Sequence, residues 1–449
     1  MIKFFRCFII IRFKYSNFSK MIKLKVDFIK FKNILALIIS ICSAACIYAQ
    51  SSDKFTLLKP DRVFDGETMH PDWVVLIKGQ TIEQAGPLNF KLPAGAAIID
   101  LKGMTLLPGL IEGHTHLFLH PYNEVSWDNQ VLNESRAERT VRAVNHAKST
   151  LLAGFTTVRD LGTEGSMYDD VGLKESIDKG LIPGPRMIIS TRALVTSGSY
   201  GPKLSPDNQN EIGAAVADGH DDLIREIRTQ IGKGADFIKL YADYRWGQNR
   251  LAKPTFTQDE LELAVEVTAS SGRKVVTHAV TPEGMRRSVL AGVATIEHGD
   301  MGTAEVFALM KEKGVALCPT LAAGESILTY SGWKKGTDPE PQRITDKKKS
   351  FALALKFGVT ICMGGDVGVF SHGDNAKEME LMVEYGMKPI DVLKSATSVN
   401  ADVFGYGDKA GRIKKNLLAD IIAVTGDPTQ DIKNIRNVKL VMKDGRIFK

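Results

Sequence analysis

Residues 257–279 read TQDELELAVEVTASSGRKVVTHA, a helical stretch followed by a short apolar strand. Thr257 is an N-cap candidate with Glu260 three residues later, which is the pattern of a capping box. The helical stretch closes on Gly272, a residue that favours a helix C-terminus. The strand that follows carries two valines and ends near His278. A helix and a strand in such close succession indicate one unit of an alternating α/β fold.

This alternation continues over the middle of the chain. Helical periodicity separates the apolar segments, as in residues 303–314, TAEVFALMKEKG. The eight strand candidates are residues 109–116, 154–160, 186–194, 235–242, 274–279, 293–300, 314–319 and 358–366. Eight strands joined by helices predict a (β/α)8 TIM barrel, whose active site lies at the carboxyl ends of the strands. A doubly wound open sheet is the alternative, but its glycine-rich dinucleotide turn is missing from the sequence.

The two flanks of this region have a different pattern. Short strands broken by glycine-containing turns, such as FDGET and VMKDGRIF, occur before and after the predicted barrel. They predict a small β-sandwich domain formed from the N- and C-terminal segments. The predicted domains are a signal peptide (residues 1–49), the N-terminal part of the sandwich (50–108), the barrel (109–410) and the C-terminal part of the sandwich (411–449).

The beginning of the chain is typical of a secretory signal peptide. A basic stretch, MIKLKVDFIKFKN, precedes the apolar ILALIISICSAACIYA and the polar QSSDKF. Met21 is the predicted initiator, and cleavage is expected after Ala49. A retained membrane anchor is the alternative. An exported protein, located in a periplasm, is therefore expected.

The charge of the chain argues against a nucleic-acid partner, and its cysteine content argues against a disulfide framework. Of 58 basic and 52 acidic residues, nine basic and one acidic lie in residues 1–50, which leaves 49 basic against 51 acidic. A near-neutral body provides no electrostatic basis for nucleic-acid binding. No stable membrane insertion is expected after signal cleavage, and a homo-oligomer is left open. Cys318 and Cys362 lie in apolar strands, where buried free thiols are expected rather than a disulfide framework.

Chemistry-bearing residues occur at the ends of the predicted strands. His114 and His116 are two residues apart, so they share one face of the first strand. Such a pair is either half of a metal site or two polar residues bonded to the backbone. The other strand-end residues are Lys239, His278, His298 and Asp366. Their joint position at one end of a barrel predicts a metal centre.

Seven longer motifs include these strand-end residues or lie in the same part of the chain: LPGLIEGHTHL, AGFTTVRDLG, GADFIKLYAD, THAVTPEGMRRSVLAGVATIEHGD, CPTL, GGDVGVFSHGDNAKEMELMVEYGM and KSATSVNADVFG. Together they resemble the amidohydrolase superfamily, nearest to its secreted Xaa-Pro dipeptidase and imidazolonepropionase-like branch. The resemblance implies a centre of two divalent metal ions, with zinc expected. It implies that His114, His116 and Asp366 bind one ion and that His278 and His298 bind the other.

The same resemblance implies that Lys239 bridges the ions after reacting with carbon dioxide to form a carbamate. A metal-bridging hydroxide would then attack the substrate, and Asp366 would accept its proton. Tyr241 is two residues beyond Lys239 on the inward face of the strand. Its hydroxyl is predicted to donate to the oxyanion, with a stacking role in the pocket wall as the alternative.

Two further residues are predicted to bind substrate. His372 follows the eighth strand on a loop over the barrel mouth, and Arg245 could pair with a free carboxylate of a dipeptide. Arg159 and Asp160, at the end of the second strand, are expected to take part in a stabilising ion pair rather than in catalysis.

The predicted activity is metal-dependent hydrolysis of an amide bond by a dipeptidase or carboxypeptidase-like enzyme. A cyclic-amide or lactone hydrolase is the first alternative. A deaminase is disfavoured, because such enzymes depend on a glutamate close after the fifth-strand histidine, and here Glu283 comes five residues later. A catalytically silent exported binding protein is disfavoured by the six intact ligand positions.

Overall fold

The computed structural model describes residues 54–202, 213–245 and 251–449. The predicted signal peptide and its cleavage site lie outside these residues. Lys54–Lys449 forms one compact unit. None of the helices within the described residues has both the length and the apolar character needed to cross a membrane.

Strands and helices alternate through the unit. The strands are β1 (Phe55–Phe64), β2 (Met69–Pro71), β3 (Trp73–Lys78), β4 (Thr81–Pro87), β5 (Ala97–Pro108), β6 (Leu110–Thr115), β7 (Phe155–Asp160), β8 (Arg186–Ile189), β9 (Leu194–Val195), β10 (Ala215–Val216), β11 (Ile238–Tyr241), β12 (Asp243–Arg245), β13 (Ala252–Pro254), β14 (Val275–Ala279), β15 (Thr295–His298), β16 (Ala316–Cys318), β17 (Ile421–Thr425), β18 (Val438–Lys443) and β19 (Arg446–Ile447). The α-helices are α1 (Trp127–Asn133), α2 (Arg136–Leu152), α3 (Asp169–Asp178), α4 (Gly219–Lys233), α5 (Gln258–Ala269), α6 (Pro282–Ala291), α7 (Ala304–Lys313), α8 (Leu321–Tyr330), α9 (Gln342–Lys356), α10 (Ala376–Glu384), α11 (Pro389–Lys394) and α12 (Asn400–Val403). A π-helical turn (Ser395–Val399) joins α11 to α12, and a 3-10 helix (Ile432–Arg436) precedes β18.

The two flanks of the chain meet in one sheet. Its strand order is β19-β18-β17-β5-β1-β3-β4, with β2 paired to β1. The junction is the antiparallel pairing of β17 with β5, which places Ile421 opposite Pro108. Buried side chains such as Leu58, Leu106 and Met442 hold this sheet together. The joining of the two flanks agrees with the sequence analysis, while the sandwich arrangement stays a prediction.

The middle of the chain forms two parallel sheets instead of one closed barrel. One sheet has the order β6-β7-β8 and the other β10-β9-β11-β14-β15-β16. The eighth predicted strand, residues 358–366, is not a regular strand. Isolated parallel bridges, Leu317 to Ile361 and Thr115 to Val367, connect this segment and the residue after it to β16 and β6. Within the described residues the strands alternate with helices as predicted but are not joined into one continuous sheet, so the closed (β/α)8 barrel stays a prediction.

The glycines of the GGD motif explain the irregular eighth segment. A Cβ atom on Gly364 would lie 2.4 Å from Cys318 Sγ and 2.8 Å from His114 N, so only glycine fits there. Asp366 follows with a φ of 62°. Because the backbone at Asp366 is not extended, the segment cannot continue as a regular β-strand. The close approach to β6 brings Asp366 next to the histidines of that strand.

The stretch 257–279 folds as its sequence predicts. Thr257 Oγ1 accepts from the Glu260 N–H, and the Glu260 side chain accepts from the Thr257 N–H, so the capping box is confirmed. The helix packs its buried residues Leu261 and Ala264 into the main core, together with Val275 of β14. Strand β14 runs parallel to β11 and β15, so the three strands end on the same side of their sheet.

Candidate active site

A cavity of about 600 Å³ opens at the carboxyl ends of the parallel strands. Five of the six predicted metal ligands line it: His114, His116, His278, His298 and Asp366. The sixth, Lys239, lies on β11 and is 1% exposed. The structure thus brings to one place residues that are up to 252 positions apart in the sequence.

His114, His116 and Asp366 form the tightest part of the site. Their ligand atoms lie within 4.8 Å of one another. Nε2 of His114 is 3.6 Å and Nε2 of His116 is 3.3 Å from Asp366 Oδ1. The opposite nitrogens are held, since Nδ1 of His114 contacts Glu297 Oε2 at 2.9 Å and Nδ1 of His116 contacts the Gly162 carbonyl at 2.8 Å. Both Nε2 atoms are thereby oriented toward the same point, as in histidines that bind a metal.

His278, His298 and Lys239 extend this cluster. The His298 ring centre is 4.4 Å from that of His278 and 5.1 Å from that of His114. Burial lowers the pKa of both His278 and His298 well below the usual range, so the rings are neutral and can act as ligands. Burial also lowers the pKa of Lys239 to about 8, which increases the fraction of neutral amine near neutral pH. This donor set fits divalent metal ions.

Strained backbone occurs around these residues. His298, Asp366 and Thr320 have φ angles of 76°, 62° and 51°, in the left-handed region. Nδ1 of His298 contacts Thr320 Oγ1 at 2.7 Å, so two of the strained residues hold each other. Such conformations cost on the order of 1–3 kcal/mol each and concentrate at functional sites. Here they turn side chains from the strand ends into the cavity.

The charges of His114, His116 and Asp366 affect one another's pKa values. Burial alone would raise the pKa of Asp366, but His114, His116 and Lys239 lower it to about 2, so the carboxylate is ionised at neutral pH. Burial alone would lower the pKa of His116, yet its hydrogen bond to Asp366 and the charge of Glu164 raise it to about 9.

Glu297 is a site residue that the sequence analysis missed. It is fully buried, accepts from His114 Nδ1, and pairs with Arg159 Nη2 at 2.7 Å. The expected ion pair of Arg159 is thus present, with Glu297 as its partner. Asp160 instead accepts from the backbone N–H groups of Leu117 and Gly162, at 2.9 and 3.1 Å. The available signal was a carboxylate within the buried strand VATIEHGD.

Replacing Glu297 with glutamine is expected to lower the free energy of unfolding by about 3–5 kcal/mol, because Arg159 would be left as an unpaired buried charge. Equilibrium denaturant unfolding measures this change. Glu283→Gln is the matched control, because Glu283 is 42% exposed at the side chain and pairs only with surface arginines. Its loss should cost less than about 1 kcal/mol. Equal stabilities of the two variants would contradict the structural role of Glu297.

Two of the three predicted substrate residues line the cavity, and the third does not. Tyr241 lines the cavity, and its ring stacks on His278 with a centroid distance of 4.7 Å. Arg245 also lines the cavity and is exposed. His372 is not among the lining residues. Its Nε2 donates to the Leu119 carbonyl at 2.9 Å, and its ring stacks on His146.

Three further charged residues that no sequence motif marked line the cavity. Lys347 donates to Asp300 at 2.5 Å and to the His298 carbonyl at 2.6 Å. Arg343 Nη2 lies 3.6 Å from Asp300, and all three side chains line the cavity. Glu283, the residue relevant to a deaminase, is not part of this lining and pairs with Arg286 and Arg287.

An α/β fold with clustered histidines and an aspartate at its strand ends defines a candidate metal-dependent enzyme. Residues 105–448 match the model of the amidohydrolase family. The chain belongs to this family, whose enzymes hydrolyse C–N bonds. The predicted superfamily is confirmed.

Similar proteins agree with this assignment. Ochratoxinase of Aspergillus niger is 30% identical over 375 residues, which cover 77% of this chain and 75% of that protein. A solved Xaa-Pro dipeptidase with methionine bound in its active site is 30% identical, with a TM-score of 0.78 over 88% of this chain and 100% of that one. A prolidase complexed with N-methylphosphonate-L-proline is 25% identical, with a TM-score of 0.77 and the same coverage.

Proposed function

We propose that this protein is a binuclear metal-dependent dipeptidase or carboxypeptidase-like enzyme that cleaves the amide bond of a small substrate. The observation that carries the proposal is the convergence of four histidines, Asp366 and a buried lysine at the strand ends. The similarity to a Xaa-Pro dipeptidase and a prolidase supports a peptide substrate.

The six side chains divide into two ligand sets. His114, His116 and Asp366 would hold one ion, and His278 and His298 the other. Zinc suits this mixture of nitrogen and oxygen donors. Lys239 would bridge the ions as a carbamate, because its neutral amine can add to carbon dioxide and lose a proton, giving an anionic oxygen donor. Bound divalent ions would supply an activated water and would polarise the scissile carbonyl.

The remaining chemistry belongs to side chains of this chain. The ionised Asp366 accepts a proton from the attacking water and passes it to the leaving amine. The ring of Tyr241 packs on His278 and lines the cavity, and its hydroxyl would donate to the oxyanion. Arg245 lines the cavity and would pair with a substrate carboxylate, and Arg343 offers a second guanidinium in the same lining.

Purified active protein is expected to contain about two divalent ions per chain, since six ligands exceed the needs of one catalytic ion. Chelation should abolish hydrolysis of dipeptides, and addition of zinc should restore it. Elemental analysis of the protein, with turnover measured on the same samples, tests both statements. One ion per chain in fully active enzyme would overturn the binuclear proposal.

We also propose that the protein is exported. The support is the sequence of residues 21–49, in which a basic segment precedes an apolar one. Export would place the site where dipeptides and other small substrates arrive from outside the cell.

A further inference from the structure

Glu164 is a buried carboxylate for which the proposed chemistry has no use. It lies in the loop after β7, at the same end of the strands as the metal ligands, and its side chain lines the cavity. The residue is 2% exposed and has a φ of 50°, in the left-handed region. A strained residue that carries a buried charge into a cavity is a candidate for ligand recognition.

The hydrogen bonds to the carboxylate of Glu164 come from neutral side chains. Oε2 accepts from Trp127 Nε1 at 3.0 Å and from the Tyr200 hydroxyl, both neutral donors. Oε1 is buried and has no hydrogen-bond partner among the residues that the structure describes. Nδ1 of His116 lies 3.8 Å from Oε1, and that nitrogen already contacts the Gly162 carbonyl.

Within residues 54–202, 213–245 and 251–449, no lysine or arginine forms an ion pair with the Glu164 carboxylate. Arg139 lies nearby, but its guanidinium donates to the backbone carbonyls of Phe118, Thr163 and Glu164. Arg139 therefore holds the loop in place. The Glu164 side chain lines the cavity, and the described lysine and arginine side chains leave its carboxylate to neutral donors.

Two aromatic residues, Trp127 and Tyr200, contact this carboxylate, and two further rings pack on Tyr200. Tyr200 is the centre of the group, with ring centroids 4.1 Å from Tyr241, 4.9 Å from Tyr244 and 5.0 Å from Trp127. All four rings line the cavity. Aromatic faces attract ammonium groups, and the attraction grows when the site excludes water. A carboxylate beside several rings is a typical recognition site for an organic cation.

Glu164 and the aromatic rings lie next to the predicted metal ligands. Tyr241 stacks on His278, and Oε1 of Glu164 lies close to His116. A cation bound here would be only a few bonds from the scissile carbonyl. In a dipeptide, the group at that distance is the α-ammonium of the amino-terminal residue.

We propose that Glu164 and the rings of Trp127, Tyr200, Tyr241 and Tyr244 bind the free ammonium group of the substrate. The inference rests on the proposed peptidase function and makes it specific, because it selects substrates with an unblocked amino terminus. Glu164 is a specificity residue in this scheme, and it takes no part in proton transfer.

The test compares dipeptides that have a free amino terminus with their N-acetylated forms, using metal-loaded protein. Glu164→Gln keeps the shape of the side chain and removes its charge. It should lower kcat/KM for the free dipeptides by about 10- to 100-fold, the scale of a hydrogen bond to a charged group. The value for acetylated dipeptides should change by less than about threefold. Glu124→Gln is the matched control, because Glu124 is 53% exposed at the side chain and contacts His120 instead of the cavity.

An equal loss for free and acetylated dipeptides in Glu164→Gln would overturn the proposal, since the charge would then only balance that of the metal ions.

A second measurement does not depend on hydrolysis. Calorimetry should show that wild-type protein binds methioninol at least about tenfold tighter than its desamino analogue, and that Glu164→Gln loses this difference. If wild-type protein cleaved neither dipeptide, the proposed function would fail, and the binding measurement would still decide the ammonium subsite.

Discussion

Replacing Lys239 with alanine is expected to lower turnover on the order of 10³-fold, the effect of removing a group that stabilises the reacting centre. Metal content should fall at the same time, because the anionic bridge between the two ligand sets disappears. The structure supports this expectation, since Lys239 is buried and has a pKa lowered to about 8 by that burial. Steady-state kinetics and elemental analysis of the purified variant measure the two effects.

A rescue experiment distinguishes a bridging lysine from one that only supports the fold. Acetate or propionate added to Lys239→Ala can occupy the vacated space and provide the missing carboxylate oxygens. Partial recovery of turnover with added acid is expected in metal-supplemented buffer. Lys253→Ala is the control, because Lys253 is exposed on β13 and should keep wild-type activity with and without acid. Full activity of Lys239→Ala without any acid would contradict the bridging role.

Asp366→Asn is expected to reduce turnover by about 10²-fold or more, the usual scale for loss of a positioned general base. Asparagine retains one coordinating oxygen but cannot accept the proton of the attacking water. It also tolerates a left-handed backbone, so the φ of 62° at this position should be preserved. Metal content should therefore fall only modestly while the chemical step slows.

Kinetics and metal analysis of the same preparation test the Asp366 prediction. Asp259→Asn serves as the control, because Asp259 is an exposed carboxylate that contacts His220. Its turnover should equal that of the wild type. If Asp366→Asn bound both metals and kept near wild-type turnover, Asp366 would be a ligand without a role in proton transfer.

Much of the candidate site could be predicted from local sequence. A strand has a side-chain period of two, so His114 and His116 had to share a face. Parallel strands end on the same side of their sheet, so the strand-end residues Lys239, His278 and His298 had to approach each other once the alternating pattern was recognised. The capping box at Thr257 follows from local chemistry in the same way.

Other features depended on packing between distant segments. The eighth predicted strand is irregular because Gly364 packs directly against His114 N and Cys318 Sγ, a contact that no local pattern indicates. His372 was expected near the substrate, yet the structure packs its ring on His146 and directs its Nε2 to the Leu119 carbonyl. Loop side chains have no periodicity that predicts their direction.

The sequence by itself determined the α/β class, the amidohydrolase resemblance and the six candidate ligands, because each depends on periodicity or on a short motif. Only the tertiary structure decided which groups support and surround those ligands. Glu297 meets His114 across 183 positions of the chain, and Glu164 meets Trp127 and Tyr200 across 37 and 36. Such pairs form because folding excludes water from the cavity and forces buried polar atoms to find partners, a requirement that acts through space and leaves no mark on the local sequence.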